Sequence, residues 1–150
     1  MAQMETDGIE EAIRQLNKAD LFTDENVKRM LTAGSEVMLS SVKSAFVESG
    51  HNNPGRQRRT GETLRHITKA RVVRKDKNGV PYMFVASHGK DKRGQRYGTK
   101  GFVLNYGRRT GGKIPADYYW STAVHNTWQQ ANDKMSDVAA DILKGCLLYT

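Results

Sequence analysis

Two helically patterned, acidic stretches enclose a central segment, residues 51–113, that holds 17 Lys and Arg against 3 Asp and Glu, a net charge of +14. The rest of the chain holds 7 against 13, or −6, so the total is +8. Most of these cations must stay in solvent, which makes the centre a source of exposed loops and short strands. A surface polarised in this way favours an anionic partner, nucleic acid or an acidic protein face, and lets copies of the chain attract one another head to tail.

At 150 residues with 37% hydrophobic content the chain fits one domain (1–150) with a real core, and its 14 glycines point to long solvated loops. That domain is read as an N-terminal helix and connector (1–22), a core (23–145) and a short C-terminal tail (146–150), the last including the apolar Leu147, Leu148 and Tyr149. Cys146 is the only cysteine, which excludes an internal disulfide and a multi-cysteine metal cage. No apolar run approaches the roughly 18 to 20 residues of a membrane span, and Met1–Glu10 lack the pattern of a signal peptide. The expectation is a soluble chain made in a reducing cytosol, with no membrane partner.

Ile9, Ala12, Ile13 and Leu16 recur at helical spacing, predicting a first helix that Asn17–Phe22 interrupt. Thr23 followed by Asp24 and Glu25 has the form of an N-cap with acidic residues on the first turn. From there Val27, Met30, Leu31, Gly34, Val37, Met38, Ser41, Val42, Ala45 and Phe46 hold one face until Gly50. Residues 51–61, with Arg56, Arg58 and Arg59, read as an exposed basic loop. Thr60 could cap a turn or two carrying Leu64 and Ile67. Thr68–Lys75 and Val80–Ser87 read as strands of a hairpin around Asn78-Gly79.

Lys90, Lys92, Arg93, Arg96 and Lys100, interleaved with Gly89, Gly94, Gly98 and Gly101, form a second basic loop, too long for a simple turn. Phe102, Val103, Leu104 and Tyr106 are assigned to a third strand, and Gly107–Lys113, with Arg108 and Arg109, to a third basic loop. Pro115 opens the last helix, along which Trp120, Val124, Trp128, Ala131, Met135, Val138 and Ile142 form a buried stripe, both tryptophans included. The fold class is α+β: long N-terminal and C-terminal helices packed on a small, mainly antiparallel sheet with long basic loops. No internal repeat is expected.

Proton-transfer chemistry is poorly provided for, because the basic segment offers only Glu62, Asp76 and Asp91 as carboxylates. His51, His66, His88 and His125 lack the spacing of a zinc or nuclease site, and Cys146 has no histidine near it in sequence. Catalytic, metal and cofactor sites are therefore not assigned. Gly94, Gly98 and Gly101 lack the Gly-Lys-Ser/Thr ending of a phosphate loop. Tyr97, Phe102 and Tyr106 lie among cations as in single-stranded nucleic-acid binders, but the strand assignment favours placing Phe102 and Tyr106 in the core. The docking candidates are Arg56, Arg58, Arg59, Lys90, Lys92, Arg93, Arg96, Lys100, Arg108, Arg109 and Lys113.

Three motifs extend this reading: Thr60-Gly61-Glu62-Thr63-Leu64-Arg65-His66-Ile67, Val103-Leu104-Asn105-Tyr106-Gly107, and Ile114-Pro115-Ala116-Asp117-Tyr118-Tyr119-Trp120. Over roughly residues 25–145 the chain resembles the small tail-completion or head-tail joining proteins of long-tailed bacteriophages. The positions that carry the likeness are Thr60, Gly61, Leu64, Asn105, Tyr106, Gly107, Pro115 and Trp120. Asn105 departs from a common acidic residue and Arg108 from a small polar one, and both raise the positive charge expected of this face.

The resemblance implies a non-enzymatic structural protein of the virion, placed at the neck or the head-proximal end of the tail after assembly in the host cytoplasm. It would form a homo-oligomeric ring and meet neck, head-closure or tail-tube proteins. DNA would pass nearby without specific recognition. A lumen lined with these cations would hinder that passage, so most are expected to face protein, and the loops at 51–60 and 89–100 to order only on assembly. The alternative is a basic nucleic-acid-binding module.

Overall fold

Thr23 starts the first long helix as the sequence predicts: its Oγ1 accepts a hydrogen bond from the Asn26 N–H at 3.2 Å, and helix α1 runs Asp24–Glu48. It ends two residues before Gly50, whose φ of 72° lets its N–H reach Val47 O at 2.9 Å while His51 N–H reaches Phe46 O at 3.3 Å. That is a Schellman close, which needs the left-handed residue glycine adopts without cost. The computed structural model describes Arg14, Asn17, residues 23–51 and residues 61–147. Arg14 and Asn17 are helical, Asn17 lying where the interruption was expected. The other residues of the predicted first helix, Arg56, Arg58, Arg59, Thr60 and the tail beyond Leu147 lie outside the described residues.

The remaining elements are α2 (Glu62–Arg65), β1 (Ile67–Lys69), β2 (Arg74–Lys75), β3 (Pro81–Tyr82), β4 (Val85–Ser87), α3 (Tyr97–Tyr106) and α4 (Tyr119–Leu147). The class is α+β, as expected from the sequence. The sheet differs in form: β1 pairs only with β4 and β2 only with β3, giving two antiparallel two-stranded ladders. The expected third strand is absent, because Phe102–Tyr106 belongs to α3.

The chain divides into two compact units, and each takes part of both long helices. In the first (residues 1–37, 71–83 and 128–150) Met30, Ala139 and Ile142 are buried, with Val138 and Leu143 packed against them. Here Gly34 matters, since a Cβ on it would stand 2.8 Å from Met135 Cγ; the missing side chain lets α1 and α4 approach closely. The hairpin β2–β3 belongs to the same unit. Its loop is not the two-residue turn that Asn-Gly predicts, because Asn78 does not have positive φ and a type I′ turn requires it. Instead Gly79 N–H bonds to Asp76 O at 3.0 Å and Asp76 N–H to Val80 O at 3.0 Å, a type I turn followed by a left-handed glycine bulge. The Asp76 carboxylate accepts from Asn78 N–H (2.8 Å) and Val80 N–H (2.9 Å) and holds this arrangement.

In the second unit (residues 38–70 and 84–127) the buried cluster is Val42 and Phe46 of α1, Ile67 of β1, and Tyr119 and Ala123 of α4. Leu39, Leu64, Val85 and Leu104 pack around it, so α1, α3 and α4 all cover the β1–β4 ladder. Burying each of the large apolar side chains stabilises the fold by about 1.5–3 kcal/mol. The Phe46 and Tyr119 rings meet edge to face, with centroids 5.5 Å apart. The helical stripe predicted for α4 holds except at Trp128, which is 38% exposed.

Candidate docking surface

Helix α3 sets the geometry of the basic region. Its buried face is Tyr97, Gly101 and Asn105, at steps of four, while Phe102 and Tyr106 lie on the opposite side. The β-prone Phe-Val-Leu run is overridden by what the other face must fit. Gly101 passes so close to β4 and α4 that an added Cβ would stand 3.3 Å from Tyr119 Oη and 3.5 Å from Ser87 Oγ. Burial, and behind it the Asp117 carboxylate, push the Tyr119 phenol up to about 12. Tyr97 donates to Glu62 Oε2 at 2.9 Å and stacks on His66, with centroids 4.1 Å apart. The glycines at 98 and 101 are thus places of close approach, and Gly94 a turn residue at φ 79°.

The second basic loop is shorter than expected. Lys90 and Arg96 form a backbone bridge, and residues 97–100 are already the first turn of α3. Asp91 N–H bonds to Gln95 O (2.9 Å) and Gly94 N–H to Asp91 O (3.0 Å), while the Asp91 carboxylate accepts from Arg93 N–H (2.8 Å) and Gln95 N–H (2.9 Å). This is the wiring of residues 76–80 repeated, so Asp-Lys-Asn-Gly-Val and Asp-Lys-Arg-Gly-Gln are two copies of one turn. Lys100 completes the second copy by donating to Asp91 Oδ2 at 2.5 Å.

That hydrogen bond from Lys100, with those from the Gln95 and Arg93 N–H groups, holds the Asp91 carboxyl below its ordinary range. A lowered folded-state pKa means the stabilisation is present above the unfolded value of about 3.9 and is lost as pH falls through the folded one. We expect amide protection at Arg93 and Gln95, measured by NMR hydrogen exchange and corrected for intrinsic rates, to decline progressively as the pH is taken below about 4. Protection that stays constant across the acid range in which the chain remains folded would contradict this.

The third basic loop closes between Arg108 and Ile114, whose backbones exchange hydrogen bonds of 2.8 and 2.9 Å. Arg108 folds back on it, Nη2 donating to Gly111 O at 2.5 Å and Nε to Gly112 O at 3.2 Å. Asn105, expected on the charged face, is instead 3% exposed. Its Oδ1 accepts from Trp120 N–H (2.9 Å) and Ser121 N–H (3.2 Å), and its Nδ2 donates to Ser121 Oγ (3.0 Å). These are orphan donors of the first turn of α4, so Asn105 caps that helix from a distance. Pro115 does not open α4: Tyr118 has φ 55°, outside the helical region, and Thr122 N–H to Tyr118 O is the first helical bond.

What α3 and this loop expose is a row of aromatic rings. Phe102 (63% exposed), Tyr106 (52%) and Tyr118 (54%) follow one another with centroids 4.7 and 6.3 Å apart. Placing Phe102 and Tyr106 in the core is therefore overturned; the missed signal was their separation by four residues, one helical turn. Arg109 and Lys113 are exposed on the adjoining loop, as are Lys90, Lys92, Arg93 and Arg96 on theirs. Lys100 is half-buried, and Arg108 remains exposed with its donors turned onto the loop. Of the motif positions, Gly61 (φ 70°) starts α2, Leu64 packs on the core, Tyr106 is exposed, and Asn105, Gly107, Pro115 and Trp120 surround the start of α4.

The second unit contains fourteen Lys and Arg against four Asp and Glu, a net of +10. His51 pairs with Asp117 and His88 lies beside Phe84, while His125 is exposed on α4. Among the described residues no three His, Cys, Asp or Glu side chains are grouped to hold a metal ion, and no helix is long and apolar enough to cross a membrane. No protein-family model, curated protein or solved structure matches the chain.

Proposed function

We propose that this is a structural protein of a long-tailed phage or prophage virion, acting in tail completion or head-tail joining as a closed ring that meets neck or tail-tube proteins. The observation that carries the reading is the exposed aromatic row beside unpaired cations, on a unit whose net charge is +10. Exposed Phe, Tyr and Arg side chains in one patch are the composition of a protein-docking surface. The family-like positions Asn105, Gly107 and Trp120 converge on the α3–α4 junction, where they shape the backbone. The protein would work in the virion after assembling in the host cytoplasm.

Native mass spectrometry of the chain alone and with candidate neck and tube proteins is expected to show a closed oligomer, and monomer under every condition would sink the proposal. A second reading, a single-stranded nucleic-acid binder, gains from Phe102 and Tyr106 being solvent-exposed among cations. Sub-micromolar binding to DNA that falls steeply with salt, by about 0.9 log unit per tenfold salt for each phosphate contacted, would favour it.

A further inference from the structure

We propose that the aromatic row and its flanking cations receive the acidic side of helix α4 from a second copy of this chain, an inference that rests on the ring reading above. Asp133, Asp137 and Asp141 are all exposed and lie four residues apart, so they climb one side of α4 over about 12 Å. Asp133 accepts from Gln129 Nε2 at 2.9 Å, whereas Asp137 and Asp141 have no side-chain partner among the described residues. Lys134 and Lys144 share the exposed side of the helix and form no ion pair with them.

The receiving patch offers what this stripe lacks. Arg109 and Lys113 are exposed and form no ion pair among the described residues, so docking would break no salt bridge there. The phenols of Tyr106 and Tyr118 add donors, and the rings of Phe102, Tyr106 and Tyr118 follow one another at centroid distances of 4.7 and 6.3 Å. Ala140 is exposed between the aspartates, which leaves room for a ring to lie against the helix, and Lys144 can sit over an aromatic face. Patch and stripe are different surfaces, so the contact is heterologous and propagates from copy to copy until it closes.

Charge reversal tests this on exposed side chains. The full chain carrying Arg109→Glu and Lys113→Glu, the chain carrying Asp137→Lys and Asp141→Lys, and their equimolar mixture would be compared with wild type by sedimentation velocity. Each variant alone is expected to self-associate about tenfold more weakly. Mixing them is expected to restore association, since every patch then meets a stripe of opposite sign. Variants that associate like wild type, or a mixture that restores nothing, overturn the inference; if they still form rings, the broader reading stands. Loss of DNA binding with association unchanged in the Arg109→Glu, Lys113→Glu chain assigns the patch to nucleic acid and also overturns it. A wild-type chain that stays monomeric, alone and with neck or tube proteins, removes both.

Discussion

Replacing Gly107 by alanine is expected to cost about 3–4 kcal/mol of stability, the largest effect of any single substitution considered for this chain. The residue sits at φ 79° and ψ 178°, a region essentially reserved for glycine. Its surroundings leave no room either: a Cβ would stand 2.7 Å from Ile114 O, 2.8 Å from Ala116 N and 3.2 Å from Pro115 C. All three are backbone atoms of the segment leading into α4, so relief requires moving that segment. Gly94 provides the control, with the same φ of 79° and nothing within 4 Å of an added Cβ. Gly94→Ala should cost only the left-handed penalty, about 1–2 kcal/mol. Urea unfolding of the two variants checks the prediction, which fails if their midpoints shift equally.

The second large effect is expected at Asn105. Asn105→Ala removes the acceptor for Trp120 and Ser121 N–H groups in a buried position, adding the loss of a cap to unsatisfied donors, about 2–3 kcal/mol together. Asn105→Asp keeps the acceptor and places a negative charge at the positive end of α4, and the Ser121 hydroxyl can turn to donate. Its stability should stay within about 1 kcal/mol of wild type. Equal destabilisation by Ala and Asp, measured by denaturant titration with circular dichroism, would show that Asn105 does not act as a cap.

The two long helices were legible because their signals are local. Thr23 caps, Gly50 terminates, and apolar residues recur at three and four between them. Helix α3 was not, because its buried face consists of Tyr97, Gly101 and Asn105, which hold no apolar stripe for a periodicity search to find. What makes that face a face is distant in sequence: Glu62 for Tyr97, Tyr119 for Gly101, Ser121 for Asn105. Pro115 failed as a helix start for a related reason, since Tyr118 and Asn105 fix the first turn. The cations of the candidate surface could be read directly from the sequence. The aromatic row could not, because its exposure depends on the helix that replaced the expected strand.

Residues 76–80 and 91–95 share a consequence of another kind. In both, the aspartate carboxylate and the glycine at positive φ make the whole turn, and the second and third side chains, Lys77-Asn78 and Lys92-Arg93, contribute only backbone to it. Those four positions are free of any duty to the scaffold. Substitutions can therefore change the charge and shape of the tips without retuning the frame beneath them.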